Sequence, residues 1–115
     1  LAAPANKYHA SKVDVNGITF DSKKEAARWR ELEEMERAGE IIDLKRQVPF
    51  ELIQAFECSG KKFRPTKYVA DFAYVSAEDG KYVVEDVKSP ATRTRLYLLK
   101  KKLMALVHGI IIKEV

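Results

Sequence analysis

The sequence contains very little cysteine and histidine, which limits the cross-links and metal sites it can form. One cysteine, Cys58, and two histidines, His9 and His108, occur among the 115 residues. A single cysteine forms no disulfide within its own chain, and these side chains together cannot supply the four ligands of a structural zinc site. Any metal ion bound here must therefore be held mainly by carboxylates.

Long apolar runs are also missing. No stretch approaches the roughly 20 apolar residues of a membrane-spanning helix, and the first residues lack the apolar block of a signal peptide. A chain of this size buries roughly two-thirds of its surface when it folds as one domain. We therefore expect a basic arm over 1–12 and one soluble domain over 13–115, with no membrane contact and a cytoplasmic location.

Charge of one sign is not in large excess, but it is unevenly distributed. The formal net charge is +4. Residues 44–70 carry +4 and residues 89–115 carry +5, whereas residues 71–88 carry −3. Basic stretches of this kind attract polyanions such as nucleic acids. A polyanion held by the two basic stretches would lie over the acids between them.

Turn and capping signals organise the first third of the chain. Apolar residues alternate around Asn16-Gly17, the pair most favoured in a two-residue hairpin turn, which predicts a β-hairpin over 13–20. Ser22 and Glu25 have the spacing of a capping box, and apolar residues recur after them at helical intervals. This pattern predicts a helix over 22–38.

The rest of the chain predicts strands and a second helix. The segments are strands over 41–44 and 48–56 interrupted near Pro49, a turn over 60–62, an antiparallel pair over 68–75 and 82–87, a helix from 92 or 94 to 108, and a strand over 110–115. The order ββ-α-β-β-β-α-β predicts an α/β fold with a mixed central sheet and helices packed against it.

Apolar residues at helical spacing are expected to face the core of this fold. The expected core residues of the two helices are Trp29, Leu32, Leu96, Leu99, Leu103 and Leu106.

Charged residues interrupt two of the predicted apolar strands. Because side chains alternate along a strand, Asp86 and Lys88 point to one face and Glu85 to the other. Asp71 lies inside an apolar run, and burying a lone carboxylate costs several kcal/mol unless it has a partner. A Mg²⁺ ion shared by Asp71 and Asp86 is one such partner. Glu25 falls on the core-facing stripe of the first helix and supplies a third acid.

Hydrolysis of a phosphodiester uses such a set of residues. A divalent cation neutralises charge on the phosphoryl oxygens and lowers the pKa of an attacking water. The Lys88 ammonium, on the same strand face as Asp86, is placed to offset negative charge in the transition state. Structural interpretations stay open: Glu25 also fits a capping box with Ser22, and Asp86 and Lys88 also fit an ordinary ion pair worth below about 1 kcal/mol.

The order of these residues resembles the PD-(D/E)XK nuclease superfamily, whose core is an α-β-β-β-α-β unit. The motifs Lys7-Tyr8-His9-Ala10, 17–26 and 83–89 are similar to a family of small phage-encoded proteins in that superfamily, related to Holliday-junction resolvases. One departure is that Ala70 precedes Asp71 where the superfamily name has proline.

The resemblance implies a restriction-endonuclease-like core and a metal-dependent DNA endonuclease acting on branched phage DNA in the host cytoplasm. It implies that Glu25, Asp71 and Asp86 bind Mg²⁺, with Mn²⁺ as a substitute, and that Lys88 is the catalytic lysine. The alternative is a non-catalytic DNA-binding or DNA-packaging protein that keeps the fold without the activity. Divalent-metal binding separates the two hypotheses.

DNA contacts are expected near the start of the second helix, where backbone N–H groups also favour an anion. The expected DNA-binding residues are Arg93, Arg95, Lys100, Lys101, Lys67, Arg64, Thr92, Tyr97 and Lys12. One site cuts one strand, so a two-fold homodimer is expected for symmetric cleavage of a junction. The hairpin over 13–20 either joins a partner's sheet or folds back on its own core.

Overall fold

The computed structural model describes residues 12–115, and most of the basic arm predicted over 1–12 lies outside this range. Two α-helices and eight β-strands are present in the described part. In chain order they are β1 (Val13–Val15), β2 (Ile18–Phe20), α1 (Lys23–Arg37), β3 (Ile41–Ile53), β4 (Phe56–Cys58), β5 (Lys61–Phe63), β6 (Thr66–Ser76), β7 (Tyr82–Asp86), α2 (Arg95–His108) and β8 (Lys113–Glu114), with a 3₁₀ turn at Pro90–Thr92 before α2.

The first third of the fold confirms the sequence prediction. Strands β1 and β2 pair antiparallel, and their connecting residues Asn16 and Gly17 have φ of 51° and 81°, as a hairpin turn with two left-handed residues requires. The Ser22 side chain caps α1 by accepting a hydrogen bond from the Glu25 backbone N–H. Local chemistry alone therefore fixes both elements.

The central sheet is mixed, as predicted. Its strand order is β3-β6-β7-β8; β6 runs antiparallel to both β3 and β7, and β8 runs parallel to β7. The last strand is shorter than predicted, because only Lys113–Glu114 of the segment over 110–115 is strand. Among the described residues, neither helix has the length and apolar character needed to cross a membrane.

Two predictions between α1 and the strand pair were wrong. Pro49 does not interrupt a strand: β3 is continuous, and Pro49 pairs with Val69. The reason is that β3 is an edge strand, where a residue without a backbone N–H is tolerated. The turn predicted over 60–62 is centred instead on Ser59-Gly60, so the following lysines belong to β5, which pairs with β4 in a separate hairpin.

Two apolar clusters cover opposite faces of the sheet. Adjacent residues of β6 alternate between them, since Ala73 belongs to the cluster under α2 and Tyr74 to the cluster under α1. The hairpin β1–β2 folds back on its own chain, where Phe20 is fully buried in the α1 cluster. Each helix therefore forms a layer on its own face of the sheet.

The predicted core face of α2 was wrong for three of its four leucines. Leu96, Leu99 and Leu106 are 61%, 51% and 79% exposed, and only Leu103 packs against the core. The physical reason is that α2 is rotated so that Tyr97 and Met104 face the sheet. Leu96, Leu99 and Leu106 therefore lie on the side of α2 that points away from the sheet, and Leu103 lies at its boundary with the core.

Candidate active site

The four candidate catalytic residues of the sequence converge on one cleft. Glu25 from the first turn of α1, Asp71 from β6, Asp86 from the end of β7 and Lys88 just beyond it all line a cavity of about 370 Å³. Lys12, predicted to contact DNA, lines the same cavity. Residues far apart in the sequence therefore form a single polar pocket at the start of α1.

Asp71 lies at an irregularity of β6. Tyr68 and Ala70 belong to the α2 cluster and Phe72 to the α1 cluster, so the strict alternation of side chains is interrupted next to Asp71. Its Oδ2 accepts a hydrogen bond from the backbone N–H of Val87 at 2.7 Å. Burial, reinforced by the neighbouring charge of Asp86, raises the pKa of Asp71 to about 8. Two carboxyl groups thus meet in a place that favours a bound proton or cation.

Asp86 and Lys88 lie side by side, as strand alternation predicts. The Lys88 Nζ is 3.1 Å from Asp86 Oδ1, and it lies 4.0 Å from the centre of the Tyr97 ring. The other carboxylate oxygen, Oδ2, accepts a hydrogen bond from the Tyr68 hydroxyl. Burial and this carboxylate raise the pKa of Tyr68, so it remains a donor. The acid and the ammonium are therefore each held from two sides.

Glu25 acts in the helix cap and also lines the cleft. Its backbone N–H donates to the Ser22 hydroxyl at 3.1 Å, while its Oε1 accepts from the Asp21 backbone N–H at 3.0 Å. Its Oε2 lies 3.5 Å from the Gln47 amide nitrogen, and burial raises the pKa of Glu25. Glu25 therefore takes part in the cap of α1 and also faces inward, since the residue is only 3% exposed.

Glu85 lies on the opposite face from Asp86, as predicted. The side chain is fully buried and accepts two hydrogen bonds from the Arg28 guanidinium, at 2.8 and 2.6 Å, and one from the Tyr74 hydroxyl. The hydrogen bonds to Glu85 raise the pKa of Arg28. Glu85 therefore joins α1 to the sheet beneath the α1 cluster and does not line the cleft.

Several predicted DNA-binding residues line a second groove that continues from the cleft. The groove shares Asp71, Asp86, Lys88 and the predicted Thr92 with the cleft, and it runs toward the start of α2. Its remaining walls include Lys67, Lys100 and Tyr97 from the predicted set, together with Thr94.

The other predicted DNA-binding residues have different surroundings. Arg93 and Lys101 both pair with Glu114, at 2.9 and 2.7 Å, and these bonds, led by that of Lys101, lower the pKa of Glu114 to about 2. Arg64 and Arg95 are exposed. Part of the predicted DNA-binding set therefore lines the groove, whereas Arg93 and Lys101 are paired with the Glu114 carboxylate.

The carboxylates do not form a complete ligand set. Within residues 12–115, no group of three or more His, Cys, Asp or Glu side chains is arranged to hold a metal ion. Asp71 pairs with Asp86 and also contacts Glu25, while both oxygens of Glu25 face donors of the chain itself. The oxygen chemistry of the pair suits a hard cation such as Mg²⁺.

Three supporting residues escaped the sequence analysis. Tyr68 holds Asp86, Gln47 reaches Glu25, and the Lys24 ammonium donates to the Lys88 carbonyl oxygen at 2.6 Å. A tyrosine in an apolar strand near two acids is a signal that could have identified Tyr68. Gln47 gave no signal, because it reaches Glu25 from a left-handed conformation, φ 53°, inside an edge strand.

Comparison with known proteins gives one match. The family model described as "Protein of unknown function (DUF1064)" matches residues 5–111, a range that includes all four candidate catalytic residues. Searches of curated proteins and of solved structures found no match. Because the family model spans nearly the whole sequence, the chain belongs to the DUF1064 family.

Proposed function

We propose that this protein is a metal-dependent endonuclease that hydrolyses phosphodiester bonds of branched DNA, with a restriction-endonuclease-like core. The observation that carries the proposal is the meeting of Asp71, Asp86 and Lys88 in one cleft that also contains Glu25. These residue types are the ones that phosphodiester hydrolysis requires. The basic groove beside the cleft supplies a path for a polyanion.

The cleft has the chemistry expected of a magnesium site. A carboxyl group whose pKa is raised to about 8 by burial and by a second carboxylate favours a positive charge beside it. We propose that Asp71 and Asp86 hold Mg²⁺ or Mn²⁺, with Glu25 beside them. The cation, when bound, neutralises charge on the phosphoryl oxygens and makes water a better nucleophile.

Lys88 is the proposed electrostatic catalyst. Its ammonium lies between the Asp86 carboxylate and the Tyr97 ring, and these two contacts restrict its motion. A fixed positive charge stabilises a developing negative charge without reorganisation during the reaction. The Lys24 bond to the Lys88 carbonyl oxygen holds this part of the backbone against α1. Asp86 therefore both binds the cation and positions the lysine.

Symmetric resolution of a junction needs two such sites. We retain a two-fold homodimer as part of the proposal, since each chain carries one cleft and two strands must be cut. The alternative, a DNA-binding or packaging protein without activity, is favoured by one observation: no three-ligand acid cluster is formed among residues 12–115. The experiment below separates the two.

The test is cleavage of labelled four-way junction, flap, single-stranded and linear DNA in Mg²⁺ and in Mn²⁺. We expect cleavage of branched substrates, and Asp86→Asn should abolish both cleavage and the calorimetric signal of cation binding. Lys88→Ala should lower the rate by at least about a hundredfold with DNA binding nearly unchanged. The matched control is Lys81→Ala, an exposed lysine outside the cleft and the groove.

Three results would contradict the proposal. Cleavage by the wild type in EDTA would rule out a metal mechanism. Parallel loss of binding and rate in Lys88→Ala would show that the lysine only anchors DNA. DNA binding without cleavage of any substrate, and without cation binding, would favour the non-catalytic alternative.

A further inference from the structure

A hairpin made of β4 and β5 projects from the end of the central sheet. We call residues 54–65 the β-arm; every residue in it is exposed. Within the described range 12–115 it pairs only with itself, as a separate two-stranded sheet between the long strands β3 and β6. The β-arm therefore contributes little to the core of the fold. Its aromatic and basic residues need an explanation other than core packing.

The β-arm is held by its own aromatic pair. Phe56 and Phe63 face each other across the two strands, with ring centres 4.7 Å apart and planes within 9°. The Lys61 ammonium lies 5.2 Å from the centre of the Phe63 ring. Cross-strand aromatic pairs and cation–π contacts stabilise a hairpin that has no core beneath it. The β-arm is therefore a preformed, projecting element.

The charge of the β-arm is strongly one-sided. Lys61, Lys62 and Arg64 lie within it, Lys67 follows two residues after its end, and Glu57 is its single acid. Such a surface is complementary to a polyanion. A two-stranded ribbon also has the width that the major groove of duplex DNA admits, about 12 Å.

A continuous surface joins the β-arm to the cleft along β6. Asp71, Val69 and Lys67 occupy alternate positions of this strand, and all three line the groove that continues from the cleft. Beyond Lys67 the chain enters the β-arm. At about 3.3 Å per residue, Lys62 lies at most about 30 Å from Asp71, which corresponds to about nine base pairs of duplex.

We propose that the β-arm is a DNA-binding element that contacts backbone phosphates of the duplex within about one helical turn of the bond in the cleft. The inference rests on the proposed function for the identity of the polyanion. It adds a second contact region, separate from the start of α2. Lys62 and Arg64 make the phosphate contacts, the aromatic pair keeps the hairpin formed, and Glu57 opposes binding.

The first test measures the salt dependence of binding to a 30-base-pair duplex and to a four-way junction in EDTA, where the proposed hydrolysis does not occur. Each lost phosphate contact reduces the slope of log K against log salt by about 0.9. Lys62→Ala/Arg64→Ala should therefore reduce the slope by about 2. Lys45→Ala/Lys81→Ala, which removes two exposed lysines outside the β-arm, should leave it unchanged, and Glu57→Gln should tighten binding.

The second test uses the single cysteine, which is exposed on the β-arm. A benzophenone maleimide attached to Cys58 in the otherwise unchanged protein should cross-link to DNA on irradiation. In the control, Cys58→Ser/Glu78→Cys, the same group lies in the turn between β6 and β7 and should give no adduct. Melting temperatures of all variants establish that the fold is retained.

The results separate this inference from the proposed function. Unchanged salt slopes in Lys62→Ala/Arg64→Ala, or equal cross-linking from both cysteine positions, would overturn the role of the β-arm even if the protein cleaves DNA. A reduced slope with specific cross-linking would support it even if the protein cleaves nothing. Failure of the wild type to bind either DNA would overturn both.

Discussion

Arg28 and Arg37 provide a matched pair for testing how much a buried ion pair and an exposed one each contribute to the stability of the fold. Both arginines lie on α1, and each has one close glutamate partner at a similar N–O distance, 2.6 Å for Arg28–Glu85 and 2.5 Å for Arg37–Glu34. Arg28 also lies 3.8 Å from the exposed Glu31. The side chains of the first pair are 18% and 0% exposed, whereas those of the second are 67% and 72% exposed. The two ion pairs thus have nearly the same N–O distance but differ strongly in solvent exposure.

The expected difference in stability follows from burial. Arg28→Ala leaves the Glu85 carboxylate in the core with the Tyr74 hydroxyl and a distant Lys113 ammonium, 4.0 Å away, as its remaining partners. Removing one partner of a buried pair costs about 3–5 kcal/mol. An exposed pair at this spacing on a helix contributes about 0.3–0.5 kcal/mol. We therefore expect Arg28→Ala to be destabilising by several kcal/mol and Arg37→Ala to be nearly neutral.

Urea denaturation monitored by the fluorescence of Trp29, the one tryptophan, measures both variants. A further variant, Arg28→Met/Glu85→Gln, removes both charges and should recover part of the loss, because no uncompensated buried charge remains. Equal unfolding free energies for Arg28→Ala and Arg37→Ala would refute the reasoning. The same result would remove the argument that Glu85 is a structural rather than a catalytic acid.

Three other results are expected. In EDTA, Asp71→Asn should stabilise the protein relative to the wild type, increasingly as pH rises from about 4 to about 8. In this range the Asp71 carboxyl of the wild type keeps its proton in the folded state and has released it in the unfolded state, so the wild type loses stability as pH rises. A difference in melting temperature that does not change with pH would contradict this. Glu114→Gln should release Arg93 and Lys101 and so steepen the slope of log K against log salt for DNA binding by about 1 to 2, measured by fluorescence anisotropy. An unchanged slope would show that neither cation reaches DNA. Sedimentation equilibrium with and without junction DNA should give the mass of two chains; a single-chain mass in both, with full resolution of the junction, would exclude the dimer.

Local chemistry explains why the first third of the fold was predictable. The turn at Asn16 requires positive φ, and the start of α1 requires a side chain such as Ser22 to accept a backbone hydrogen bond. Neither requirement depends on distant residues. The same is true of Asp86 and Lys88, which share a face because strand side chains alternate.

Features that depend on packing were not predictable in this way. Helical spacing groups Leu96, Leu99 and Leu106 on one side of α2, but it does not state which side meets the sheet. Tyr97 and Met104 are the residues of α2 that pack against the sheet. No local signal distinguishes their side of the helix from the leucine side. The support of Asp86 by Tyr68 likewise depends on the arrangement of strands β6 and β7, which short-range patterns do not encode.

The pairing of β7 with the end of the described chain has a consequence for biosynthesis. The Val115 N–H donates to the Asp86 carbonyl oxygen, and the Val115 carbonyl oxygen accepts from the Lys88 N–H, both at 3.0 Å. A nascent chain that has reached His108 already contains Glu25, Asp71, Asp86 and Lys88, but it lacks the strand that fixes the backbone of the last two. During translation, the two hydrogen bonds that fix the backbone at Asp86 and Lys88 therefore form only after residue 115 has been added to the chain.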